Sequence, residues 1–139
     1  MAGEVFLDSG YAIALAADSD QLHPRAVEIA ADMENQSRRM VTHQAVLLEI
    51  GNSLSMMRYR AAAVEMLSAL ASDPNIEVVP LTNELYLQAF ELFCTRPDKE
   101  WSLTDCVSFV AMQSRGLTEA LTADKHFEQA GFRALLLPA

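Results

Sequence analysis

Val5-Phe6-Leu7-Asp8-Ser9-Gly10-Tyr11-Ala12-Ile13 decides the fold. Three apolar residues suited to a strand stop at an acid. From Ser9 the apolar positions Tyr11, Ile13, Ala14, Leu15 and Ala17 take a helical spacing, closed by Asp18-Ser19-Asp20. The same alternation runs outward from this junction. Pro24 suits the first turn of a second helix reaching about Asn35, and Arg39–Thr42 reads as a strand. Helices are expected over His43–Met57 and Ala61–Ala71. Asp73-Pro74-Asn75 then turns the chain into the strand Ile76–Val79. Thr82 caps a helix through Cys94, and Thr95–Trp101 is a loop. Ser102 opens a helix to Arg115 that Gly116 ends, and Glu119–Thr122 is a strand. A helical turn over Lys125–Ala130 stops at Gly131, and Arg133–Leu137 forms a last strand. Five short strands alternating with helices predict right-handed crossovers and a parallel sheet covered on both faces.

Composition agrees with a single α/β domain spanning residues 1–139. Hydrophobic residues make up 51% and charged residues 21% of 139, enough apolar side chain for a core and no basis for disorder. No apolar run approaches the roughly 18–20 residues that span a membrane. The start, with Glu4 and Asp8 and no basic segment, is unlike a signal peptide. Cys94 and Cys106 have no metal-ligand spacing and read as reduced thiols, so a cytoplasmic protein is expected. Ten Lys and Arg stand against nineteen Asp and Glu, a net charge of −9. A chain so acidic repels polyanions, unless several carboxylates converge on divalent cations and reverse the local field.

In parallel α/β sheets ligands bind beyond the carboxyl ends of the strands, where the strand order reverses. Asp8 follows the first strand and Asp124 lies just past the fourth. Each acid also has a plain structural alternative. Asp8 fits the N-cap of the helix from Ser9, Ser102-Leu103-Thr104-Asp105 fits a capping box, and Asp124 fits a cap before Lys125. Glu49 has no cap to make in mid-helix. At about 100° per residue, Val46, Leu47, Ile50, Leu54 and Met57 share one face. Glu49 points elsewhere, beside Ala45, Asn52, Ser53 and Met56. Clustered carboxylates raise one another's pKa, and a hard cation such as Mg²⁺ relieves that repulsion.

These residues carry a resemblance. Val5–Ser9, Leu48-Glu49, Trp101-Ser102-Leu103-Thr104-Asp105-Cys106-Val107-Ser108-Phe109, and Leu121-Thr122-Ala123-Asp124-Lys125-His126-Phe127 with Ala130-Gly131-Phe132 resemble the PIN-domain family over essentially the whole chain. Proteins of this size resemble its VapC-type ribonuclease toxins. The resemblance implies a three-layer α/β/α sandwich around a five-stranded parallel sheet of order 3-2-1-4-5. It also implies Mg²⁺- or Mn²⁺-dependent hydrolysis of RNA, and carries Asp8, Glu49, Asp105 and Asp124 over as catalytic, metal-holding acids. Many members place a further acid two positions after the last Asp, where this chain has His126.

The expected reaction has Asp8, Asp105 and Asp124 holding one ion while Glu49 holds or orients water or a second ion. It leaves a 5′-phosphate and a 3′-hydroxyl. Ser9, Thr104, Lys125 and His126 are the candidates for substrate contact, with Arg58, Arg60, Arg96 and Lys99 as further candidates for phosphate. Trp101 is expected to anchor its loop, His23 and His43 to lie at the surface or at helix ends, and Met56 and Met57 to fill the core. Two other classes stay open: a catalytically silent binding module, and a phosphatase with an Asp after its first strand. The phosphatase normally needs a second acid where Gly10 stands. Expected partners are RNA, a small antitoxin protein and a second copy of the chain, paired through Pro24–Asn35 and His43–Met57.

Overall fold

The structure, a computed structural model, describes residues 3–138. The elements in order are β1 (Val5–Leu7), α1 (Ser9–Ala16), α2 (His23–Asn35), β2 (Met40–His43), α3 (Gln44–Ser53), α4 (Met57–Ser72) and β3 (Ile76–Val79). They continue with α5 (Asn83–Thr95), α6 (Leu103–Arg115), β4 (Glu119–Leu121), α7 (Lys125–Gln129) and β5 (Arg133–Ala134). The five strands form one sheet in the expected order β3-β2-β1-β4-β5, every pair parallel.

β1 lies in the middle, with Phe6 registered against Val41 of β2 on one side and Ala120 of β4 on the other. Val5, Phe6 and Leu7 are buried throughout, as a parallel strand covered on both faces requires. The chain steps from β1 to β2 to β3 in one direction, then crosses to β4 and β5 on the other side. Right-handed crossovers in opposite directions put their helices on opposite faces. Accordingly α1 packs with α2, α3 and α4, and α5 packs with α6. The order reverses between β1 and β4, so the carboxyl ends of these two strands flank the crevice where such sheets bind ligands.

Local chemistry sets most boundaries as the sequence predicts. Thr82 caps α5 through Leu85 N–H. Ser102 and Asp105 form a reciprocal capping box on α6. Gly116 ends that helix with φ +66°, a left-handed conformation that costs glycine nothing.

The expected helix over His43–Met57 is corrected. His43 is the last residue of β2, and its Nδ1 accepts Val46 N–H as the cap of α3, which ends at Ser53. The chain then turns and restarts as α4 at Met57, with the Arg60 guanidinium bonded to Ser55 O across the corner. Met56 and Met57 therefore project from a corner rather than filling the core, and Met57 is 97% exposed. The last strand is also shorter than expected. Leu135 and Leu136 still donate to Ala120 O and Thr122 O, but the ladder ends at Ala134. No helix among the described residues is long and apolar enough to cross a membrane.

Candidate functional site

Asp8 leaves β1 as its backbone N–H bonds Leu121 O, which ties the carboxyl ends of β1 and β4 together. Asp8 occupies the N-cap position of α1 with extended backbone, yet makes no side-chain cap bond. Its carboxylate turns instead to Thr122, whose hydroxyl donates to Asp8 Oδ2 at 2.7 Å and accepts Asp124 N–H at 3.1 Å. Thr122 thus links the first acid to the last. The sequence reading gave it no role. The available signal was a hydroxyl directly after the apolar pair Ala120-Leu121 that ends β4, two residues before Asp124.

Glu49 reaches the same place from α3. Ser9 Oγ donates to Glu49 Oε1 at 2.9 Å, joining the start of α1 to the middle of α3. The proton of the hydroxyl expected to touch substrate is thus donated to an acid, while its oxygen can still accept a bond. Asp105 keeps its capping role, with Oδ2 accepting Ser102 N–H, and the same oxygen lies 2.9 Å from His126 Nδ1. Asp124 caps α7 by accepting His126 N–H at 2.8 Å. For Asp105 and Asp124 the capping reading holds, and it does not exclude the site reading, because a carboxylate has two oxygens.

Aromatic packing sets α6 and α7 at the distance this needs. Phe109 of α6 meets Phe127 of α7 edge-on at 5.0 Å, and Phe127 rests 6.1 Å from Phe6 of β1. Trp101 packs on Phe109 and donates Nε1–H to Gln129 of α7, so it anchors its loop as expected.

His43 lies at a helix end, one of the two expected placements, and there it is fully buried. Since Nδ1 accepts from Val46, Nε2–H donates to Ser108 Oγ at 2.8 Å, and Ser108 in turn donates to Thr104 O. This chain of bonds ties the start of α3, which carries Glu49, to the first turn of α6, which carries Asp105. Burial lowers the His43 pKa from 6.5 to about 4, so the ring stays neutral.

The acids sense one another. Burial pushes Asp8 up from 3.8 to about 7; the Thr122 hydroxyl and the Ser9 backbone N–H act against this, and the charges of Glu49 and Asp105 add to it. Glu49 is raised chiefly by burial, against its bond from Ser9, with Asp105 and Asp124 adding to the rise. Among the described residues no Lys or Arg pairs with any of the four. Four converging carboxylates with no Lys or Arg to neutralise them form an oxygen-donor set suited to a hard divalent cation. One ligand atom each from Asp105, Asp124 and His126 already lies within 4.8 Å of the others.

Of the remaining candidates, Thr104 and Lys125 adjoin Asp105 and Asp124, and the arginines and Lys99 are occupied elsewhere. Thr104 is half-buried in the first turn of α6, and Lys125 is exposed at the start of α7, paired with no acid among the described residues. Arg60 is held by Ser55 O, and Arg96 by Asp98 and the Trp101 ring. Lys99 lies 3.9 Å from Asp98, and Arg58 stacks over Tyr59. A cavity of about 330 Å³ lined by Arg25, Arg38, Glu119 and Arg133 lies at the opposite end of the sheet. Its Arg38 is satisfied by Gly3 O, Glu4 O and Glu119, so it serves the fold.

Comparison with known proteins agrees with this geometry. Residues 5–133 match the family model described as PIN domain. The chain is 28% identical over 128 residues to the 23S rRNA-specific endonuclease VapC20 of Mycobacterium tuberculosis, covering 92% of this chain and 95% of that protein. The crystal structure of VapC20, described as a sarcin–ricin loop cleaving toxin, superposes with a TM-score of 0.82 over the same shares. VapBC2 from Rickettsia felis, solved bound to a DNA fragment from its promoter, shares the fold at 11% identity. Its TM-score is 0.66, over 94% of this chain and 96% of that one.

Proposed function

The chain belongs to the PIN-domain family, and from that premise we propose that it is a metal-dependent endoribonuclease, the toxin of a toxin–antitoxin pair. One observation carries the reading: Asp8, Glu49, Asp105 and Asp124, from four separate segments, meet at the β1–β4 switch with no Lys or Arg partner among the described residues. In this reading Asp8, Asp105 and Asp124 hold Mg²⁺ or Mn²⁺. Bound there, the cation stabilises charge developing on the scissile phosphate and acidifies the attacking water.

The chain's own residues do the rest. Glu49, fixed by Ser9, orients the water for attack on phosphorus. Thr122 holds Asp8 through Oδ2 and leaves its other oxygen for the cation. Lys125 and Thr104 flank the path of the RNA backbone. Water rather than the ribose 2′-hydroxyl attacks, so the products carry a 5′-phosphate and a 3′-hydroxyl. With a net charge of −9, RNA approaches against the general field, and the neutralised acid cluster is where it is accepted.

The likeness to VapC20 supports a structured ribosomal RNA as substrate class. The reading extends to the cytoplasm as the compartment and to two protein partners, a small antitoxin and a second copy of the chain. Apolar side chains remain at the surface for such contacts: Leu48 on α3 with Met56 and Met57 at the α3–α4 corner, and Tyr86, Leu87, Phe90 and Phe93 along α5. On α2, by contrast, Ala26, Ile29 and Met33 face the core and Val27 is the one large hydrophobic exposed. The pairing is accordingly assigned to the α3–α4 corner.

The test is cleavage of purified 23S rRNA and of a sarcin–ricin loop oligonucleotide, with end-group analysis. Metal-dependent cuts with 5′-phosphate ends, lost in Asp8→Asn and Asp105→Asn, are expected. RNA left intact by the metal-loaded protein, with binding retained, returns the chain to the silent-module class.

A further inference from the structure

One nitrogen donor stands among the acids. His126 Nδ1 lies 2.9 Å from Asp105 Oδ2 and 3.4 Å from Asp124 Oδ1. Its position is built in. His126 N–H is held by Asp124 Oδ1, and the next residue, Phe127, is fully buried between Phe6 and Phe109. The stretch of α7 backbone that carries the imidazole is therefore fixed by the core. The ring is only partly exposed, and its Nδ1 faces the point at which both carboxylates converge.

We propose that His126 is a metal ligand, so that the cation is held by an imidazole nitrogen as well as carboxylate oxygens and the site favours transition ions over Mg²⁺. This rests on the metal-dependent reading above and assigns His126 a role other than substrate contact. Ligand atoms at neighbouring positions of an octahedral ion with bonds near 2.1 Å stand about 3 Å apart. The two separations of 2.9 and 3.4 Å fit such neighbours. Imidazole suits first-row transition ions, whose affinity for a given site rises from Mn²⁺ to Co²⁺, whereas Mg²⁺ takes oxygen. An acid at this position keeps an all-oxygen set, and the histidine changes the preference. No other histidine reaches the acids. His23 Nδ1 is bonded to Ala14 O, and both ring nitrogens of His43 are bonded inside the core.

Two measurements on the full chain without RNA decide it. Electron spin-echo modulation of the Mn²⁺-loaded protein should show coupling to an imidazole nitrogen, and His126→Ala should lose it. By titration calorimetry, His126→Ala should weaken Co²⁺ by roughly tenfold or more while changing Mg²⁺ by less than about threefold. His126→Asp should keep Mg²⁺ binding and lose the nitrogen coupling. Mn²⁺ bound without nitrogen coupling in the unaltered chain overturns the assignment and leaves the four acids as the site. Equal losses of Co²⁺ and Mg²⁺ in His126→Ala overturn it too. No binding of any of these ions at millimolar concentration overturns the metal-dependent reading itself, and the inference with it.

Discussion

The Thr122 hydroxyl donates to Asp8 Oδ2 at 2.7 Å across 114 residues of sequence. That bond favours the ionised carboxylate, while burial and the neighbouring acids favour the protonated one, and burial wins. Without a cation, Asp8 is thus a charge held where the fold disfavours charge.

This sets the sign of the first prediction. A carboxylate whose folded pKa is raised from 3.8 to about 7 destabilises the fold progressively as pH rises through that window. Asp8→Asn should be nearly neutral for metal-free stability at about pH 4 and stabilising at about pH 8, by at most ~4 kcal/mol. Urea unfolding at several pH values checks it. A constant loss of about 1 kcal/mol at every pH is instead the signature of a helix cap, the role for which the structure shows no bond.

His43 acts oppositely over an overlapping range. Its folded pKa is lowered from 6.5 to about 4, so stability is lost as pH falls from 6.5 through 4. In the unaltered chain the two slopes partly cancel. In the Asp8→Asn background the loss in acid should stand out, and His43→Asn added to it should flatten the profile. A profile unchanged by the second substitution contradicts a buried, neutral His43.

Asp105 separates capping from metal holding. Asp105→Ala removes the reciprocal half of the capping box, worth about 1 kcal/mol, but also relieves repulsion on Asp8 and Glu49. Its net effect on metal-free stability should therefore be under about 1 kcal/mol, while cleavage is abolished. Thermal unfolding with and without Mn²⁺ gives the check: the metal-induced rise in Tm should vanish in the variant.

Chelation addresses the chemistry directly. EDTA should abolish cleavage, Mn²⁺ or Mg²⁺ should restore it, and Ca²⁺ should restore it poorly, because its looser coordination activates water less. Undiminished cutting in EDTA would sink the metal-dependent reading.

Pairing is tested at the α3–α4 corner. Leu48 is 61% and Met57 97% exposed. A two-fold contact uses each residue twice, so Leu48→Glu with Met57→Glu should yield a monomer by analytical ultracentrifugation at micromolar concentration. Phe90→Glu on α5 should leave the dimer intact. A dimer surviving the first pair and lost with Phe90→Glu moves the interface to α5.

Much of the molecule was legible along the chain because the signals are local. The apolar run Val5–Leu7, Thr82 before α5, Ser102 with Asp105, and Gly116 each act within a few residues, and the structure keeps each in its expected role. The acids' order was legible in the same way, since each lies at a strand end or on a helix turn that local patterning locates. What a residue touches across the fold was not. Helical periodicity cannot tell that α3 stops at Ser53, because the break depends on a corner closed by Arg60 onto Ser55. Nor can it tell that His43 is buried, since its partner Ser108 lies 65 residues away. The composition and alternation of the sequence determined a parallel α/β sheet with acids at its carboxyl edge. Only the tertiary structure decided that Thr122 holds Asp8, that Ser9 holds Glu49 and that His126 turns to Asp105. Those contacts depend on crossover direction and on the packing of Phe6, Phe109 and Phe127, and no local preference encodes either.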